Sequence, residues 1–352
     1  MRVERLTLGQ PPSRGLVGAI LARDLMLGNE RWSKGRRLGP EDLERLGALP
    51  VVAGSGRART VTLLIAEPGE LHEDDAALRL AAAVAGPNLV RQGPLQSRVD
   101  LRATAAGVVS VRLDALERID AIDPLEVFTV LDGQVVKAGD LVASVKIAPH
   151  VVAESVLEVA ERIAARSGPV VRVDAFRPRS VAVLVKESLR AADRQRFEAT
   201  MAAKIEGLGS AVSVIRYIDD EVEAAEEALA GFAARRGGVP LVLTAGAAST
   251  DPTDPIFLAI QRLGGTIIRQ GVPAHPGSML WLARIDRTIV LGLPTCGAYS
   301  RATAVDLLLP RLLAGQPATA RTVARLGHGG VLTREMRFRM PAYARDLEAP
   351  EG

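Results

Sequence analysis

The sequence predicts an α/β protein whose C-terminal half is a three-layer, mainly parallel sheet, preceded by an N-terminal α+β segment and a small β-rich module. Three observations carry this. From Arg179 to Gly315, short apolar runs of strand type alternate with longer amphipathic runs of helix type, the pattern of a mainly parallel sheet with helices on both faces. The runs SVAVLVKES and VPLVLTAG are apolar almost throughout, as buried strands are. Between 89 and 150, helical periodicity gives way to short β-type runs separated by turns such as Asp132-Gly133 and Gly139-Asp140. The resulting division is 1–88, an N-terminal α+β segment; 89–152, the β-rich module; 153–178, a connecting helix and linker; 179–315, the α/β domain; and 316–352, a tail.

In chain order, Leu16 to Leu27 has a helix-like apolar pattern stopped by Gly28 and Asn29. A second helix starts at Pro40, with Glu41 and Asp42 near its positive end, and stops at Gly47 and Pro50. Thr60–Ala66 reads as a strand and 73–86 as a helix. In the β-rich module a short helix interrupts the strands within GVVSVRLDALERIDAID, and VLDGQVVKAGDLVASVKI reads as a hairpin. Ala153–Arg166 is an amphipathic helix broken by SGP. The α/β alternation then follows: strands at 180–188, 211–218, 239–246 and 266–273, helices at 192–209, 220–237 and 254–265, a hairpin at 278–294 around Asp286, and a last helix at 301–315. The tail holds one strand-like run, VLTREMRFRM, before a loose end.

Composition narrows the function. The 44 basic and 41 acidic residues give a net charge of +3, and the basic residues are scattered. With aromatics at 3%, this is no basic stripe interleaved with stacking rings, so nucleic acid is not the expected partner. A local basic pocket for a phosphorylated small molecule remains compatible. The single cysteine, Cys296, excludes an internal disulfide and a multi-cysteine metal site, and no two of the four histidines have metal-ligand spacing. No run of about 18 apolar residues and no apolar leader core is present, so a cytoplasmic protein without a membrane span is expected.

In open α/β sheets ligands bind beyond the carboxyl ends of the strands, and three segments are expected to meet there. TAGAASTDPTDP (244–255) follows a buried strand and precedes a helix. Gly246 and the alanines beside it let backbone approach a ligand, Ser249, Thr250 and Thr253 offer hydroxyls, and Asp251 and Asp254 offer carboxylates. The helix start could take a phosphate; the plainer alternative is a polar loop with Asp254 as N-cap. GVPAHPGSM (271–279) is a tight turn in which His275 could donate to a phosphate and Ser278 could hydrogen-bond; the alternative is a rigid surface turn. GLPTCGAYSRAT (292–303) is a second small-residue loop feeding a helix, with Tyr299 or Ser300 as its cap; Cys296 has no assigned base and reads as a small filler.

These residues resemble the molybdopterin-binding fold of molybdenum-cofactor biosynthesis proteins. The molybdotransferase branch reads roughly T-S-G-G-x-S, then an Asp, L-G-G, a K-P-G turn and G-L-P-G-N-P. Thr244, Gly246, Ser249 and Asp254 fall on the first motif, Gly264-Gly265 on the second, Pro276-Gly277 on the turn with His275 in place of Lys, and Gly292, Leu293 and Pro294 on the last. KGRRLGPEDLERLGALP resembles the segment that precedes the domain, whereas IAEPGELHEDDAALRLAAAVAG and LPTCGAYS resemble a branch associated with cofactor nucleotidyltransferases. The departures are VKES where the branch has S-T-G-D-E, Ala247 for the second glycine, and GLPTCG, which lacks the Asn and final Pro.

The resemblance implies a protein that binds molybdopterin or its nucleotide form, with Asp254 as the principal polar anchor and catalytic carboxylate. It implies Thr244, Gly246, Ser249, Thr250, Asp251, His275, Gly277, Ser278, Gly292, Pro294 and Ser300 as binding residues, and Mg²⁺ held by Asp254 and Glu187. If the chain is an enzyme, it would be a molybdotransferase-like or adenylyltransferase-like transferase. The alternatives are a non-enzymatic carrier or chaperone and a nucleotide pyrophosphatase or deamidase of the same fold. Partners would be a molybdoenzyme or a cofactor nucleotidyltransferase, and a homo-oligomer is expected.

Overall fold

The computed structural model describes residues 1–50, 59–186, 189–233, 239–247, 249–294 and 302–347. The chain forms two compact units: 1–104, 111–130 and 139–172 make the first, and 105–110, 131–138 and 173–352 the second.

Besides two-stranded pairs of 25–27 with 30–32 and of 70–72 with 151–153, the first unit holds, among the described residues, two larger antiparallel sheets. In one, the strand 60–65 lies between 2–7 and 20–21. Its core gathers Leu6, Leu21, Trp32, Leu38, Leu46 and Leu63, and the Arg36 guanidinium stacks 4.2 Å from the Trp32 ring centre. The other has the order 125–129, 141–147, 98–103, 89–95. Helices 73–84 and 154–167 pack together, and Arg79 joins them through Glu154 at 2.6 Å and Glu161 at 2.9 Å.

Two expectations fail in this stretch. The helix expected over 16–27 is instead a 3-10 turn at 14–16 followed by short strands at 20–21 and 25–27, because Ile20 and Leu21 are taken up by pairing with Leu64 and Leu63. The hairpin expected across 130–147 does not close on itself: Val135 and Val136 pair with Val108 and Gly107, while 141–147 pairs with 125–129 and with 98–102.

Together with 105–110, 131–138 and the tail, the second unit contains the expected mainly parallel α/β sheet. Its strands are β1 (Ser180–Val185), β2 (Ala211–Tyr217), β3 (Leu241–Ala245), β4 (Thr266–Gln270), β5 (Trp281–Ile285) and β6 (Thr288–Gly292). Its main helices are α1 (Ala191–Glu206), α2 (Val222–Ala233), α3 (Pro255–Arg262) and α4 (Ala304–Leu313). The sheet order is β2-β1-β3-β6-β5-β4; the first four are mutually parallel and β5 runs against its neighbours. α1 and α4 contribute to the core on one face, through Phe197, Met201, Leu308 and Leu309. α2 and α3 cover the other face with Ala228, Leu229, Ile256 and Phe257. Central strands therefore bury both faces, which is why they read as unbroken apolar runs.

The α1–α4 face carries a buried ion pair. Lys204 of α1 donates to Asp306 of α4 at 2.6 Å with both side chains fully buried, and the other oxygen of Asp306 accepts from Thr303 N in a capping box. The tail differs from expectation: no ladder forms over 331–340, where a 3-10 helix occupies Arg334–Arg339. Beyond it Tyr343 and Ala344 are buried against the α1–α4 core, so the chain here is anchored by packing.

Candidate functional site

Because β1, β2, β3 and β6 are parallel, their carboxyl ends share one edge of the sheet. β4 points the same way, so the 271–280 turn also leaves from that edge and re-enters β5 at Trp281. Thr244 pairs with Gly292, and Leu293 N donates to Thr244 O at 2.8 Å. The loops that begin at Gly246 and Leu293 are thus immediate neighbours. This is the convergence expected from the sequence; Ser300, Cys296, Tyr299 and Glu187 lie outside the described residues.

Alternation along the strands puts the side chains of Thr244, Gly292 and Trp281 in one row on the α2–α3 face. Thr244 is fully buried, and its hydroxyl has no hydrogen-bond partner among the described residues, nor has the indole N–H of Trp281. A Cβ on Gly292 would run into the Trp281 indole, so the glycine here makes room for the ring. Phe257 of α3 meets the same ring edge-on at 4.8 Å.

Asp254 is buried and caps α3: its Oδ1 accepts from Ile256 N at 2.9 Å. Its Oδ2 accepts from the Lys186 ammonium at 2.9 Å, and the same ammonium donates to Asp220 at 2.6 Å. Burial on its own would lower the Lys186 pKa, but the hydrogen bonds to Asp220 and Asp254 outweigh it and hold the ammonium above the ordinary lysine value. Since Pro255 lacks an N–H and Ile256 N is taken, the start of α3 is covered by the chain's own carboxylate; a phosphate would find its donors in the preceding loop.

In that loop Ser249 is half-buried and Thr250 and Asp251 are exposed. Asp251 accepts from both the amide and the hydroxyl of Thr253, and these two bonds together with the nearby Lys186 charge hold its carboxyl below the usual range. His275 presents an exposed side chain while its backbone is pinned, its N–H donating to Gly330 O and its carbonyl accepting from Leu332 N, each at 2.8 Å. Ser278 is half-buried and Pro294 buried. Gly277 has φ +106, and a Cβ there would lie 2.8 Å from Ala304 N, so only glycine lets this turn touch the start of α4. Asp220 and Trp281 were missed by the sequence reading. The signal for Asp220 was its place just past a strand, but its acidic neighbours read as the charge of a helix start.

Residues 184–314 match the family described as "Probable molybdopterin binding domain". The matched segment runs from the end of β1 to α4. Among solved structures, one titled as the molybdopterin biosynthesis moea protein from Pyrococcus horikosii is 16% identical, covers 73% of this chain and 81% of its own, and has a TM-score of 0.30. The molybdopterin biosynthesis enzyme MoaB from thermus theromophilus is 21% identical, covers 40% of this chain and 98% of its own, and also has a TM-score of 0.30. No curated protein matches by sequence. No helix among the described residues is long and apolar enough to cross a membrane.

Proposed function

We propose that this chain binds molybdopterin, or its nucleotide form, along the carboxyl edge of the six-stranded sheet and handles it during molybdenum-cofactor assembly. The observation that carries the reading is the bond from Leu293 N to Thr244 O, which joins the two small-residue loops inside the family-matching segment. Open α/β sheets offer ligands this edge because loops there can present backbone N–H groups and short side chains without breaking the sheet. Gly246, Ser249, Thr250 and Ser300 would hold the phosphate or pterin, and Asp251 would meet ring nitrogens. His275 and Ser278 would close the far side, while Gly277, Gly292 and Pro294 shape the wall. The buried Thr244 hydroxyl fits such a ligand, since a polar atom with no protein partner costs stability unless something else engages it.

Asp254 bears on whether the bound pterin is transformed or only carried. In a transferase that carboxylate would act on the ligand. Here its oxygens serve Lys186 and the cap of α3, which favours the carrier reading, with delivery to a molybdoenzyme or a cofactor nucleotidyltransferase. Mass spectrometry of pterin co-purified from a molybdenum-replete host tests the proposal: a stoichiometric pterin-phosphate that is lost when Ser249 and Thr250 are replaced by Val is expected. A preparation free of pterin that also takes none up when supplied would refute it.

A further inference from the structure

The resemblance to molybdotransferases calls for Mg²⁺ held by carboxylates, with Asp254 among them. The residues present do not fit that ion. Among the described residues no group of three or more His, Cys, Asp and Glu side chains could hold a metal. Among the described residues, the buried carboxylate at the strand edge, Asp254, is occupied. Lys186 Nζ lies 2.9 Å from Asp254 Oδ2 and 2.6 Å from Asp220 Oδ1, with only 7% of the lysine side chain and 1% of the Asp254 side chain exposed. Mg²⁺ needs near-octahedral oxygen ligands at about 2.0–2.1 Å and gives up water reluctantly. It cannot take this place without expelling an ammonium already inside it, and beside that ammonium it would meet like charge.

We propose that the Lys186 ammonium is the resident cation of this edge, standing between Asp220 and Asp254 where a divalent ion would sit, so that the pterin-phosphate binds without divalent metal. The chemistry is consistent along the chain. Lysine arrives one residue past the end of β1 on the α2–α3 face, the strand neighbouring β3 supplies it, and the carboxylates come from the loops after β2 and β3. An ammonium has three donors; the two bonds named above leave one, among the described residues, for an anionic ligand. The second half of the proposal rests on the pterin reading above, whereas the first half does not.

The test is a Mn²⁺ titration of the full chain followed by electron paramagnetic resonance, on the wild type, Asp254→Asn, Lys186→Met and the Lys186→Met/Asp254→Asn pair. The wild type is expected to show no site that Asp254→Asn removes. Lys186→Met is expected to gain one site at least tenfold tighter than any in the wild type, and to lose it again in the double variant. A wild-type Mn²⁺ site abolished by Asp254→Asn overturns the proposal, as does a Lys186→Met protein that melts cooperatively yet gains nothing. Should Lys186→Met not fold, the wild type and Asp254→Asn titrations decide alone. In a parallel arm, molybdopterin affinity is measured in EDTA and in Mg²⁺: agreement within twofold supports metal-independent binding, and a tenfold loss in EDTA overturns it. If no pterin binds in either, the functional reading fails while the Mn²⁺ titration still decides the role of the ammonium.

Discussion

Asp254 does two jobs with one carboxylate, and its replacements separate them. Asp254→Ala removes the cap of α3 and leaves Lys186 without its buried partner, so a loss on the order of 3 kcal/mol or more is expected in urea unfolding. Asp254→Asn keeps an acceptor for Ile256 N and should lose clearly less; equal losses would show that the ion pair with Lys186 dominates and the cap adds little. The pH dependence follows from the raised Lys186 pKa. A cation favoured in the folded state contributes its full stability below its ordinary pKa of 10.5 and gives it up as pH rises through the folded value. Stability should therefore fall on the alkaline side, and this part of the fall should vanish in Lys186→Met. Thr244→Val removes a buried hydroxyl that lacks a partner among the described residues, which costs about 1–3 kcal/mol when left unpaired. The thermal midpoint should hold or rise while pterin affinity drops; a lower midpoint with intact affinity would make the hydroxyl purely structural.

Elements of this domain were legible where one physical signal dominated. The long helices α1 and α4 and the apolar strands β1, β3 and β6 lie where helix-length runs and continuous apolar runs place them. The common edge of the 246 and 293 loops followed from strand–helix alternation. What sequence could not give was the pairing of distant polar groups. Lys186 read as a departure from a family motif and Asp220 as helix-start charge, because their meeting depends on which strands are neighbours in the sheet. Short strands were lost for a related reason: Ile20-Leu21 is too brief for periodicity to separate strand from helix, and its pairing with Leu63-Leu64 is tertiary. Within the domain, Lys204–Asp306 links α1 to α4 with both side chains fully buried. Lys204→Met would strand a fully buried carboxylate and should cost about 3–5 kcal/mol, measured by chemical unfolding. An effect under about 1 kcal/mol would mean that solvent reaches Asp306.

At the scale of the molecule the units are interleaved, since the second takes 105–110 and 131–138 from the middle of the chain. Arg311 of α4, nearly buried, donates to Asp132 at 2.9 Å and to Gln316 at 3.0 Å. A fragment of residues 179–352 has the whole six-stranded sheet but lacks Asp132. It should unfold at lower urea than the same region of the full chain, and Arg311→Met should stabilise the fragment while destabilising the intact protein. A substitution that moves both the same way would show that the pair adds nothing to the second unit.

The borrowed segment also sets an order of events during synthesis. Residues 131–138 leave the ribosome before 139–172, which complete the first unit, and long before α4 exists to receive Asp132. The first unit has all of its residues at this stage, whereas the second has only its two short early pieces. A nascent chain stalled near residue 178 holds every residue of the first unit together with two short pieces waiting for a partner not yet made, and those pieces are where a chaperone would find exposed backbone to hold.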